Sequence, residues 1–246
     1  MTWVMGADGC RAGWVVVFRS LGGQAPRARI FPSGALSEAF AAPEHPRIAA
    51  VDIPIGLPGV SREGGRTADK ACRQLLPRAR KSSIFPPPSR AVLAASAFAQ
   101  ACDIEWRNSI PPKKLSRQTF NILGKIREVD GIAPQLGGTI FECHPEISFW
   151  AMNGGSAMQF SKKSRRRSDA TGRSGSEQRR RLLLENGYSE AFLSASPGRS
   201  GEVSRDDLLD ACAAAWTAER IATGAALRFP PEAELDGLGI DMAIWS

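Results

Sequence analysis

The sequence predicts an α/β protein built on a mixed sheet, three antiparallel strands followed by parallel ones, flanked by helices. Three observations carry this. Two apolar runs, WVMGAD and WVVVF, bracket the turn-forming stretch DGCRAG. IAAVDI is a nearly continuous apolar run, as expected for a strand buried on both faces, and a Pro/Gly cluster stops it. Helical spacings then alternate with further strand-like runs, an order that gives a mixed sheet.

Taken along the chain, the first two runs form a hairpin, and a third strand covers Ala28 to Phe31. Gly34 to Ala42 is a short helix leading to the IAAVDI strand. If that fourth strand returns parallel beside the first, their carboxyl ends are neighbours. From about 62 to 135, RTADKACRQLL, SRAVLAASAFAQAC and SRQTFNILGKIREVD have helical spacing between Pro-rich joints, so this region is predicted to be a helical insertion. GGTIFECHPE restores strand character, a helix follows near Ile147 to Met152, and EQRRRLLLENG and SRDDLLDACAAAWTA are further helices. GIDMAIWS ends the chain as a short strand.

The 246 residues suffice for a substantial core and are read as a single domain, 1–246. MTWVMGADG has strand and turn character rather than that of a cleavable leader, and no apolar run approaches the roughly 20 residues of a membrane span, so the expected location is cytoplasmic. The five cysteines are odd in number and scattered, which predicts buried thiols rather than disulfides or a zinc knuckle. Of the 32 Lys/Arg and 25 Asp/Glu, nine and two fall between residues 162 and 181, leaving 23 of each elsewhere. The net charge of +7 is therefore a local feature of a Ser/Gly/Arg-rich loop, solvated or in contact with phosphate.

Asp8 ends the first strand and Asp52 nearly ends the fourth. Neighbouring strands lie about 4.8 Å apart, so both side chains can converge on a cation held at about 2.0–2.1 Å, as magnesium is. Strand-end aspartates also cap turns, and that structural reading stands beside the metal reading. With Ser204 as N-cap, Asp206 and Asp207 occupy the first turn, where the helix dipole favours anions and Asp207 can complete a capping box. Asp210 comes a turn later, on the face continued by Ala214 and Ala218, which let the helix approach a sheet closely. Burial of its carboxylate there requires a proton, a cation or an ion pair, for which Arg11 is the competing partner.

GADGCRAGW, VDIPIGLP, KSSIFPPPSR, LSRQTFNILGKIREVD, FECHPEISFWAMNGG and DDLLDACAAAWTA together resemble domain-of-unknown-function family 429, described as predicted nucleases of the ribonuclease-H-like fold. The resemblance spans nearly the whole chain. It implies a ribonuclease-H-like sheet with the helical insertion, and magnesium or manganese held by Asp8, Asp52, Asp207 and Asp210 for two-metal hydrolysis of nucleic acid. Aspartate at 52 departs from the glutamate often found in the related resolvases.

FECHPE offers Glu142 as a further metal ligand or catalytic acid and His144 as a general acid or base, against a helix start in which Pro145 and Glu146 suit the first turn. Ser82, Ser83, Arg90, Lys125 and Arg127 are candidates to line a phosphate-binding groove, as are Arg11, Lys162, Lys163, Arg173 and Arg180. No Walker loop or dinucleotide fingerprint is present. Two other functions stay open: phosphoryl transfer or nucleotide binding in the manner of actin and sugar kinases, and non-catalytic nucleic-acid binding. A single tyrosine and an arginine run without aromatics speak against a single-strand stacking platform.

Overall fold

The computed structural model describes residues 1–160, 174–199 and 201–246. Strands β1 (Trp3–Cys10) and β2 (Gly13–Ser20) form an antiparallel hairpin, and β3 (Arg27–Phe31) pairs antiparallel with β2. A 3-10 turn at Leu36–Ala41 leads to β4 (Ala49–Val51), which lies parallel to β1. Between β4 and the next sheet strand come β5 (Ser61–Arg62), α1 (Thr67–Gln74), α2 (Phe98–Arg107), β6 (Ser109–Ile110), α3 (Arg117–Asn121) and α4 (Leu123–Ile132). This region is mainly helical, apart from the small β5–β6 pair.

The main sheet resumes with β7 (Ile140–Cys143), parallel to β4. Helices α5 (Pro145–Met152), α6 (Gly175–Glu185), α7 (Glu190–Ser194) and α8 (Arg205–Ala222) follow, and β8 (Arg228–Phe229) and β9 (Ile244–Trp245) close the sheet. The seven strands run in the order β3-β2-β1-β4-β7-β9-β8. No helix among the described residues is long and apolar enough to cross a membrane. All five cysteines are buried free thiols.

Side-chain alternation divides the core between the two faces of the sheet. Met5 and Ala7 of β1 and Ala49 and Val51 of β4 pack with Ile126 and Val129 of α4. On the other face Val4 and Ala50 pack with Cys143 and with Ala214 and Ala218 of α8. The alanines of α8 permit a close approach, and Gly6 of β1 completes it. A Cβ at Gly6 would lie 2.4 Å from the Ala211 carbonyl oxygen, so the strand meets the helix backbone directly.

Candidate functional site

Ala7, Val51 and Glu142 stand side by side in register across β1, β4 and β7. One residue further on come Asp8, Asp52 and Cys143. Asp8 does not end its strand as expected, because the hairpin with β2 carries β1 on to Cys10, but it stands just past the last β1–β4 pair. The Asp52 amide donates to the Ala7 carbonyl at 3.0 Å, which carries the pairing past the formal end of β4. Asp8 and Asp52 share the alternation of Val4 and Ala50, so they belong to the α8 side of the sheet. α8 brings Asp210 to the same place. Asp8, Asp52 and Asp210 line one cavity of about 300 Å³.

Cys143 registers this convergence. Burial pushes its thiol well above the ordinary range, and Asp52, Glu142, Asp8 and Asp210 push it further. The sulfur is thus held protonated and unreactive. Asp8 and Asp210 are recessed, at 8% and 7% exposure, and the Asp8 Oδ1 accepts a hydrogen bond from the Gly9 amide at 2.8 Å.

Asp207 is placed elsewhere. The Asp207 amide donates to the Ser204 hydroxyl at 3.1 Å, and the Ser204 amide donates to the Asp207 Oδ2 at 2.8 Å. This is a complete capping box, and Asp207 is not among the residues lining the cavity. The four-acid set implied by the resemblance is therefore represented in the cavity by three aspartates, because the fourth carboxylate is committed to the first turn of α8.

Glu142 borders the cavity but is engaged in a buried ion network. Arg66 donates to its two carboxylate oxygens at 2.6 and 2.8 Å, and the Ile55 amide donates to it at 2.6 Å. Arg66 also donates to Asp69 at 2.8 Å and to the Ile55 and Gly56 carbonyls at 2.8 and 3.1 Å. Burial opposes the charge on Arg66, but Glu142 and Asp69 outweigh it and hold the guanidinium well above its ordinary range. The network ties β7 to the loop that follows Asp52, so in this geometry Glu142 is a brace rather than a ligand. Sequence reading missed Arg66 and Asp69. Their only visible signal is a charged i, i+3 pair at a helix start, indistinguishable there from an exposed one.

His144 caps α5. Its Nδ1 accepts from the Glu146 amide at 3.2 Å, which assigns the proton to Nε2, 3.2 Å from the Ser83 carbonyl oxygen. Both His144 and Ser83 line the cavity. Glu146 is paired with Arg80 and with the fully buried Arg179.

The predicted basic groups separate in the same way. Lys125 lines the cavity, donates to the Gly13 carbonyl at 2.8 Å and lies 5.0 Å from the centre of the Trp14 ring. Arg90 is paired with Asp130 and with Asp236 of the C-terminal segment, and Arg127 donates to the Leu93 and Ala95 carbonyls, so both are engaged in holding the fold, and neither lines the cavity. Arg180 is engaged with Glu190 and Ser194. Arg11 and Ser82 are exposed and do not line the cavity. Lys162, Lys163 and Arg173 lie outside the described residues.

Fold and site thus define a mixed α/β protein with an acid-lined cavity at the carboxyl ends of parallel strands. The chain belongs to the family described as "Protein of unknown function (DUF429)", whose model matches residues 6–235. No curated protein and no solved structure matches it.

Oxygen-only carboxylate donors suit a hard divalent cation in their chemistry. Among the described residues, however, no group of three or more His, Cys, Asp or Glu is gathered closely enough to hold a metal ion. Binding one would require the aspartates to draw together.

Proposed function

We propose that the sheet is a ribonuclease-H-like core and that the chain hydrolyses phosphodiester bonds in nucleic acid with magnesium or manganese. The observation that carries this reading is the convergence of Asp8, Asp52 and Asp210 from β1, the end of β4 and α8 on one recessed cavity. The antiparallel triplet followed by parallel β4 and β7 agrees with that fold.

Charge favours a cation-dependent reaction. Six carboxylates line the cavity; Asp69 and Glu142 are paired with Arg66, and Glu146 with Arg80 and Arg179, while Lys125 adds one more cation at the wall. A phosphodiester meeting such a wall is repelled until positive charge is added. Asp8, Asp52 and Asp210 are the residues that would hold the cation, and a bound divalent ion supplies Lewis acidity and an activated water. Lys125 places a fixed positive charge at the same cavity. His144, whose Nε2 proton faces Ser83, orients the cavity wall. The Arg66 network keeps the segment after Asp52 in place.

The test is cleavage of labelled RNA, DNA, hybrid and junction substrates with magnesium or manganese by wild type, Asp8→Asn and Asp210→Asn. The reading predicts activity that chelator abolishes and that falls by at least about 100-fold in both variants. Cleavage that survives in both variants, or that ignores chelator, contradicts it.

A further inference from the structure

The proposed hydrolysis leaves the form of the nucleic acid open, and the shape of the cavity bears on it. Asp8 and Asp210 are recessed at 8% and 7% exposure inside a space of about 300 Å³. That volume lies at the small end of ligand sites, with room for roughly one nucleotide. A base inside a duplex is paired and stacked, so it can lie against an aromatic wall beside such a recess only by leaving the stack, whereas the base of a single strand is already free to do so.

A second, smaller cavity of about 140 Å³ adjoins the first, and Phe85 lines both. Lys113 and Lys114 line the smaller one, beside Ser116 and Thr119. The partition between them is stiff. Phe85 is followed by Pro86, Pro87 and Pro88, which fix the backbone. Gly65, at φ +79°, lets Pro86 pack so closely that a Cβ on Gly65 would lie 2.6 Å from the Pro86 Cβ. The Ser89 amide, just beyond the prolines, donates to the buried Glu105 at 2.9 Å.

Acids in a recess, an aromatic side chain at its edge and lysines beyond it match the repeat of a single-stranded polynucleotide: phosphate, base, next phosphate. Aromatic stacking on bases tolerates sequence, and lysines follow the backbone. One aromatic at the cavity wall serves this purpose without a series of them along a basic run. We infer that the substrate is a single-stranded polynucleotide, bound with its scissile phosphate at the aspartates, an adjacent base on Phe85 and a flanking phosphate at Lys113 and Lys114. The position of the scissile phosphate rests on the proposed hydrolysis; the recognition of single strands can be read without it.

The experiment is fluorescence anisotropy with labelled 12-nucleotide RNA and DNA, each as a single strand and as a blunt duplex, in calcium so that binding is measured apart from turnover. At least one single strand is expected to bind about 10-fold or more tighter than its duplex, with Phe85→Ala weakening it about 10-fold and Phe85→Trp restoring it. A Lys113→Ala, Lys114→Ala double variant is expected to reduce the salt dependence of log K by about 0.7, the loss of one phosphate contact. Equal or tighter duplex binding, or single-strand binding unaffected by Phe85→Ala, overturns the inference. Cleavage of duplex by such a protein would leave the hydrolytic reading standing. Single-strand binding with the expected Phe85 dependence but no metal-dependent cleavage would defeat the hydrolytic reading and keep the recognition. No binding to any of the four probes overturns the recognition of single strands and leaves the hydrolytic reading to be decided on hybrid and junction substrates.

Discussion

Gly6 of β1 lies hard against Ala215 of α8: a Cβ at Gly6 would stand 1.9 Å from the Ala215 amide nitrogen. The obstacle is backbone on both sides, so no side-chain rotation relieves it. This contact sets the depth at which α8 crosses the sheet, and Asp8 and Asp210 lie beyond it on the same face. Gly6→Ala is therefore expected to destabilise the fold by about 3 kcal/mol or more. Urea denaturation measures this, and a loss below about 1 kcal/mol would mean that the helix can lift at no cost.

Asp207 and Asp210 are expected to separate under mutation. Asp207→Ala removes the capping box and should lower stability by about 1 kcal/mol while leaving divalent-cation binding intact. Asp210→Asn should abolish the binding. Thermal melts and metal titrations on both variants check this, and a loss of metal binding in Asp207→Ala would restore it as a ligand.

Removing the charge of Glu142 leaves Arg66 buried with Asp69 and two carbonyls. Breaking one partner of a buried pair costs about 3–5 kcal/mol, and Glu142→Gln should fall near the lower figure because the amide still accepts a hydrogen bond. In a cycle with Arg66→Met, the double variant is expected to lose less than the sum of the singles. If Glu142 held a cation instead, the variant would bind metal poorly and unfold normally.

Glu44 provides a test by pH. Burial pushes its carboxyl up, but the hydrogen bonds from Arg29 and Arg27 outweigh this and lower it to about 2, from an ordinary 4.5. Because the folded value is depressed, the stabilisation is complete above pH 4.5 and fades as pH falls through about 2. The full shift corresponds to about 3 kcal/mol, reduced to about 1–2 kcal/mol because both arginines are partly in solvent. The stability difference between wild type and Glu44→Gln should therefore be constant from pH 5 to 7 and shrink below 4.5. A difference that does not change with pH would contradict the ion pair.

The antiparallel triplet, the parallel return of the fourth strand and the final helix were all legible, because continuous apolar runs and alanine spacing are local properties. Local spacing also showed that Asp207 could cap its own helix and that Asp210 could not. It did not show which side of β7 faces α8. FECHPE places Glu142 and Cys143 on opposite faces, and only the register with β4 determines that Cys143 joins Asp8 and Asp52 while Glu142 turns toward Arg66. That partner is 76 residues away, so no spacing rule connects the two. The last strand, β9, was legible in GIDMAIWS, whereas β8, of two residues, is too short to carry a period.

The central claim is that Asp8, Asp52 and Asp210 form one cation site. Calorimetric titration of manganese into wild type and Asp210→Asn, both shown to be folded, tests it most directly. The account predicts saturable binding to wild type and a loss in the variant greater than the about 10–100-fold typical of outer-shell groups. Absence of saturable binding to wild type, or equal binding by the variant, would contradict it.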